Sequence, residues 1–166
     1  YVTGDSAKHN VLAKIAVGET IWHRMGDVGY FDEQGRFWYC GRKNHRVDSA
    51  NGTLFTECVE AIFNQANWVE RTALVGIGPR GSQVPIVIYE TESITHIYPA
   101  HGEPLMPEDV FREIPREMQG IAEKHGFTIS IFLRHNQFPV DVRHNSKINR
   151  EALAAWAEMQ LVKRKT

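Results

Sequence analysis

The sequence predicts an α+β fold: a small antiparallel or mixed sheet flanked by helices and preceded by a β-hairpin. Two runs rich in β-branched residues, 72–77 and 84–89, face each other across Gly78-Pro79-Arg80-Gly81, the composition of a turn between antiparallel strands. Apolar residues recur at helical spacing after Thr56, after Pro107 and after Asn149. Aromatic-rich segments on both sides of Asp32-Glu33-Gln34-Gly35 read as a hairpin near the start. Antiparallel pairing with helices packed on the sheet is the α+β arrangement.

Taken in order, residues 1–20 show no clean period, and Val11 to Ile15 suit a short helix or strand that needs a partner. Residues 28–39 form the aromatic hairpin. Val47 and Leu54-Phe55 flank Asp48-Ser49-Ala50-Asn51-Gly52, and Asn51-Gly52 signals a second hairpin. Thr56 is suited to cap a helix reaching about Ala66, with Val59, Ile62 and Phe63 on its apolar face. The two strands follow, then a Pro- and Gly-rich loop over residues 90–107. Pro107-Glu108-Asp109 opens a second helix, with acids in the first turn where the macrodipole favours them; it ends near His125 at Gly126, and Pro115 is expected to kink or split it. Residues 127–133 alternate as a strand, 134–146 read as a loop, and 149–162 as an amphipathic helix carrying Leu153, Trp156 and Leu161.

Composition excludes several classes. The 19 basic and 20 acidic side chains nearly cancel, so no global field attracts nucleic acid. Two cysteines, Cys40 and Cys58, make no disulfide framework, and no apolar run approaches the ~20 residues of a membrane span. A cytoplasmic location is the expectation. The eight histidines lack ligand spacing joined to Cys or acid partners, so no metal site is expected. The chain opens at Tyr1 without an initiator Met or leader, which reads as a piece of a longer protein.

Three stretches carry chemistry: Trp22-His23-Arg24-Met25-Gly26-Asp27-Val28-Gly29-Tyr30, Gly41-Arg42-Lys43-Asn44, and Phe138-Pro139-Val140-Asp141-Val142-Arg143-His144-Asn145-Ser146-Lys147-Ile148. In this order and at these separations they resemble the late motifs of the adenylate-forming superfamily of acyl-CoA synthetases, peptide-synthetase adenylation domains and luciferases. Within it, residues 22–46 together with Asp141 to Asn145 are similar to the olefin-biosynthesis β-lactone synthetases and neighbouring fatty-acyl ligases.

The resemblance implies a division at the composition shift over Gly41 to Arg46. Residues 1–41 would end a large N-terminal adenylation domain, 42–46 would be a hinge, and 47–166 a mobile C-terminal domain. Asp27 would accept hydrogen bonds from the ATP ribose hydroxyls, its two oxygens suiting a vicinal diol. A turn Asp satisfying local N–H groups is the alternative for that position. Arg42 would be a second ribose or phosphate contact, its planar fork matching paired oxygens; otherwise it shields the hairpin. Asn44 falls at the hinge, where loop residues absorb large φ/ψ changes.

Lys147 is the catalytic candidate. A compact ammonium on a flexible stem can reach a substrate carboxylate and the α-phosphate and stabilise charge as the acyl adenylate forms. Asp48 and Gly52 mark a candidate acyl-acceptor loop. Asp48 stands where a Lys is frequent, Ser146 where a Gly is usual, and Cys58 where an acid is. A carboxylate at 48 would raise the cost of admitting the anionic phosphates of CoA. That favours an enzyme whose β-hydroxy acyl substrate closes intramolecularly to a β-lactone, with high effective molarity.

The implied function is therefore the C-terminal part of an ATP- and Mg²⁺-dependent ligase activating a fatty or β-hydroxy fatty acid as acyl-AMP, inactive without its N-terminal adenylation domain. A fatty acyl-CoA ligase and a non-catalytic, partner-binding α+β domain are the alternatives.

Overall fold

A computed structural model describes residues 13–91, 107–141 and 144–164, so the expected loop over 90–107 lies almost wholly outside the described residues. The chain divides into two compact units between Asn44 and His45.

The first unit holds two hairpins. Strands β1 (Lys14–Val17) and β2 (Thr20–His23) pair antiparallel around Gly18, which takes φ +59°. All their residues are exposed. Without a buried face there is no alternation to read, which is why the sequence showed no period here. Strands β3 (Asp27–Phe31) and β4 (Phe37–Arg42) form the expected aromatic hairpin. Its turn is built by Asp32, whose carboxylate accepts from the N–H groups of Gln34 (3.0 Å) and Arg36 (2.9 Å), while Gly35 supplies φ +74°. Gly29 is required for a different reason: a Cβ there would lie 2.3 Å from the Trp38 carbonyl oxygen.

The second unit runs β5 (Val47–Ser49), β6 (Gly52–Leu54), α1 (Thr56–Phe63), β7 (Val69–Ile77), β8 (Val84–Thr91), α2 (Pro107–Lys124), β9 (Phe132–Arg134), β10 (Val140–Asp141), β11 (His144–Ile148) and α3 (Arg150–Lys163). Strands β7 and β8 pair antiparallel, and β9 joins β8 in parallel, giving a mixed sheet in the order β7-β8-β9. Successive side chains on β8 point to opposite faces. Val87 and Tyr89 pack with Val59 and Phe63 of α1 and Val110, Ile114 and Met118 of α2. Ile86 and Ile88 pack with Leu153 and Ala157 of α3. Both faces are thus covered, which explains the continuous apolar run of β8. Each fully buried Leu, Ile or Phe in these layers contributes about 1.5–3 kcal/mol.

Several local expectations change. Helix α1 starts at Thr56 itself; extended Phe55 is the N-cap and makes no side-chain cap, while the buried Thr56 hydroxyl has no hydrogen-bond partner among the described residues. It stops at Phe63 rather than Ala66, because Asn64 turns its Oδ1 to the Thr72 backbone N–H (2.7 Å) and hydroxyl (2.8 Å). Asn51-Gly52 is not the centre of the second turn: Ser49 pairs with Gly52, and Gly52 adopts φ +119°. Helix α2 runs through Pro115, held by the buried i, i+4 row Val110, Ile114, Met118 and Ala122. Of the expected strand over 127–133 only Phe132 and Leu133 join the ladder, which runs on to Arg134. The alternation breaks between Ile129 and Ile131: Phe127 and Ile129 pack in one layer, Ile131 and Leu133 in the other. The expected loop over 134–146 contains the β10–β11 hairpin, bulged after Val140. Helix α3 begins where expected, with Asn149 accepting from the Ala152 N–H at 3.0 Å.

Candidate functional site

In the first unit, the expected nucleotide contacts come together. Asp27 and Arg42 are cross-strand partners in the β3–β4 register, and their side chains pair at 3.0 Å. The Arg42 guanidinium also donates to the Met25 carbonyl, and the Lys43 N–H donates to the Gly26 carbonyl at 2.8 Å. Gly26 permits this closure with φ +74°. The two side chains remain 33% and 40% exposed, within reach of a diol or phosphate. The aromatics of this hairpin are not buried within it. Phe31 and Phe37 meet at 5.2 Å between ring centroids, and the Trp38 indole N–H donates to Asp32 at 2.7 Å, yet Tyr30, Phe31, Phe37, Trp38 and Tyr39 stay 47–72% exposed.

In the second unit, Lys147 is exposed on β11 and lines a cavity of about 460 Å³ with His45, Val140, Ile148, Asn149, Arg150 and Glu151. The segment that carries it is fastened at both ends by buried carboxylates. At the entrance, Glu90, 3% exposed, accepts from the Phe138 backbone N–H and pairs with Arg71, whose guanidinium lies 5.1 Å from the Phe138 ring centroid. At the exit, the Asn149 N–H donates to the Pro139 carbonyl (2.7 Å), and Arg150 forks onto Glu60, with Nη2 2.9 Å from Oε2 and Nη1 bonded to Oε1. Glu60 also accepts from the Leu74 N–H at 2.6 Å. Burial pushes the Glu60 carboxyl above its ordinary value, and the Arg150 hydrogen bonds oppose that shift.

Asn44 is exposed in the turn between the two units. Asp48 is not a bare carboxylate beside an acceptor channel. It accepts from Arg46 Nε (3.0 Å), Thr53 Oγ1 (3.0 Å) and Arg80 Nη1 (3.2 Å), and the Arg46 hydrogen bond leads in holding its carboxyl below the usual range. Two guanidiniums at this distance offset its charge, so the repulsion of CoA phosphates expected from Asp48 is largely cancelled. Gly52 closes the same hairpin, its carbonyl accepting from the Ser49 hydroxyl at 2.8 Å. Among the described residues no group of three or more His, Cys, Asp or Glu gathers, and no helix is long and apolar enough to cross a membrane.

Glu60, Glu90 and Arg150 were not singled out in the sequence. For Glu60 a signal existed: it lies in the helical stripe Thr56, Val59, Glu60, Phe63, all buried, where an acid demands a partner.

This mixed α+β arrangement of small sheets and helices matches the C-terminal domain of adenylate-forming enzymes. Among solved structures, the amide bond synthetase McbA from Marinactinospora thermotolerans superposes with a TM-score of 0.66 over 91% of this chain and 27% of its own, at 17% identity. The o-succinylbenzoate CoA synthetase of Bacillus subtilis, in complex with its acyl-adenylate intermediate, gives 0.56 over 80% of this chain and 24% of its own, at 17% identity. No family model matches the sequence.

The sequence comparisons narrow this. The chain is 46% identical to the olefin beta-lactone synthetase of Xanthomonas campestris pv. campestris over 98% of its length, and 46% identical to that of Stenotrophomonas maltophilia over 96%. It spans 28% and 27% of those two relatives. The chain is a homologue of the adenylate-forming ligases and corresponds to their C-terminal part.

Proposed function

We propose that this chain is the C-terminal part of an ATP-dependent ligase that activates a fatty or β-hydroxy fatty acid as acyl-AMP and releases a β-lactone. The observation that carries the reading is Lys147, exposed at a cavity on a hairpin fastened at both ends, in a chain 46% identical over 98% of its length to olefin beta-lactone synthetases. The substrate carboxylate attacks the α-phosphorus of ATP and pyrophosphate leaves. The Lys147 ammonium neutralises charge that builds on the carboxylate and phosphate oxygens. The β-hydroxyl oxygen then attacks the acyl carbonyl, loses its proton, and AMP departs. Asp27 and Arg42 hold the nucleotide. Mg²⁺ accompanies ATP, and none of its ligands is assigned to this chain.

In this reading residues 1–41 complete a large N-terminal adenylation domain, 42–46 with Asn44 form the hinge, and 47–166 move. The division between Asn44 and His45 supports the hinge. The exposed aromatics on both faces of the β3–β4 hairpin support the first assignment, because large apolar side chains left exposed together mark an interface. The intact enzyme would act in the cytoplasm.

A fatty acyl-CoA ligase is the second reading, favoured by the pairing of Asp48 with Arg46 and Arg80, which lowers the cost of admitting CoA. Incubating the full-length protein with ATP and a β-hydroxy fatty acid, with and without CoA, and identifying the product decides between them. A β-lactone formed without CoA supports the first reading; a thioester formed only with CoA replaces it. In the same protein Lys147→Ala is expected to cut adenylate formation about 100-fold or more while leaving ATP binding within a few-fold. An unchanged rate refutes the assignment of Lys147.

A further inference from the structure

The Glu60–Arg150 pair is 8% and 12% exposed, joins residues on α1 and α3, and does no chemistry in the scheme above. Three features tie it to Lys147. Arg150 is the first residue of α3, three positions past Lys147, and lines the same cavity. Its guanidinium is fixed against both Glu60 oxygens and reaches the Leu74 carbonyl at 3.4 Å, so it fastens the start of α3 to the edge of β7. The intervening Asn149 bonds back to Pro139, closing the base of the β10–β11 hairpin.

We infer that Arg150 and Glu60 are positioning residues, setting where the root of the Lys147 hairpin lies so that the ammonium meets the reacting carboxylate and α-phosphate. A buried bidentate pair suits this task because its planar fork fixes direction as well as distance. Apolar residues of similar volume would hold α1 and α3 together equally well but would not fix the hairpin root. The inference rests on the role proposed for Lys147. A displacement of about 1 Å at a reacting group costs on the order of 100-fold in rate.

The test uses the full-length enzyme and pyrophosphate exchange with ATP and a β-hydroxy fatty acid. Glu60→Met and Arg150→Met are made singly and together, with Lys147→Ala in parallel and thermal melting followed by circular dichroism. Each single variant loses thermal stability, because it strands a buried charge. The double variant is expected to regain it while kcat for adenylation stays roughly 10- to 100-fold low, with KM for ATP within about twofold. A double variant with wild-type kcat shows that the pair only stabilises the fold, and overturns the inference.

If the double variant melts early, Glu60→Gln carries the test. It keeps an acceptor for the Leu74 N–H but breaks the fork, and the same loss in kcat is expected; wild-type kcat overturns the inference. Lys147→Ala separates the two levels. If it adenylates normally, the reading of Lys147 fails; if it is inactive while the pair variants are not, only the positioning role fails.

Discussion

Replacing Thr56 by Val should make the second unit more stable. The hydroxyl is buried at the first position of α1, 1% of the residue is exposed, and among the described residues no hydrogen-bond partner reaches it. An unsatisfied buried hydroxyl costs about 1–3 kcal/mol. Valine has the same branched shape, so the change creates no cavity and alters helix propensity by only a few tenths of a kcal/mol. The expected gain is therefore about 1–2 kcal/mol. For a unit of roughly 120 residues that raises the midpoint by about 4–8 °C. Circular dichroism at the helical band follows this unit, which holds α1, α2 and α3. Thr56→Ser is the control: it keeps the hydroxyl and removes a buried methyl, and should lose about 1 kcal/mol. A Val variant that melts at or below the parent would show that the hydroxyl is hydrogen-bonded, and the reasoning would fail.

Three more outcomes are expected. Gly29→Ala would force a Cβ to 2.3 Å from the Trp38 carbonyl oxygen and 2.4 Å from the Phe37 ring, so the hairpin should open and Trp38, losing its indole hydrogen bond to Asp32, should change its fluorescence. Asn149→Ala removes the side-chain cap on α3 and should cost about 1 kcal/mol in urea unfolding, with the m-value unchanged. Asp48→Asn should lower the melting temperature at neutral pH. Because the Asp48 carboxyl is held below its ordinary value in the fold, its contribution is present above the unfolded-state value and fades as pH falls through the folded one. The difference between parent and variant should therefore narrow below about pH 4.

What could be read from the sequence was local. The β3–β4 hairpin was legible because Asp32 and Gly35 build its turn within a few residues, and the pairing of Asp27 with Arg42 follows from that register. The strands β7 and β8 were legible because burial on both faces leaves an uninterrupted apolar run. Lys147 became a candidate through resemblance to a family, not through any property of residues 144–148, which form a polar strand with no periodic signal. The β10–β11 hairpin escaped for the same reason. Glu60 and Arg150 lie 90 positions apart, and only the folded sheet and helices bring them together. A partner chosen at that separation leaves no mark in either neighbourhood except an acid where an apolar side chain would be routine.

Residue 48 is bonded twice over. Its backbone carbonyl takes the N–H groups of Gly81 (2.8 Å) and Gln83 (3.1 Å), and its own N–H meets the Gln83 side chain (2.9 Å). Its carboxylate separately gathers Arg46, Thr53 and Arg80. The main-chain joint between the β5–β6 hairpin and the β7–β8 turn is indifferent to which side chain stands at 48. Evolution could therefore exchange that side chain, altering the charge the hairpin presents at its surface, without rebuilding the scaffold that holds it.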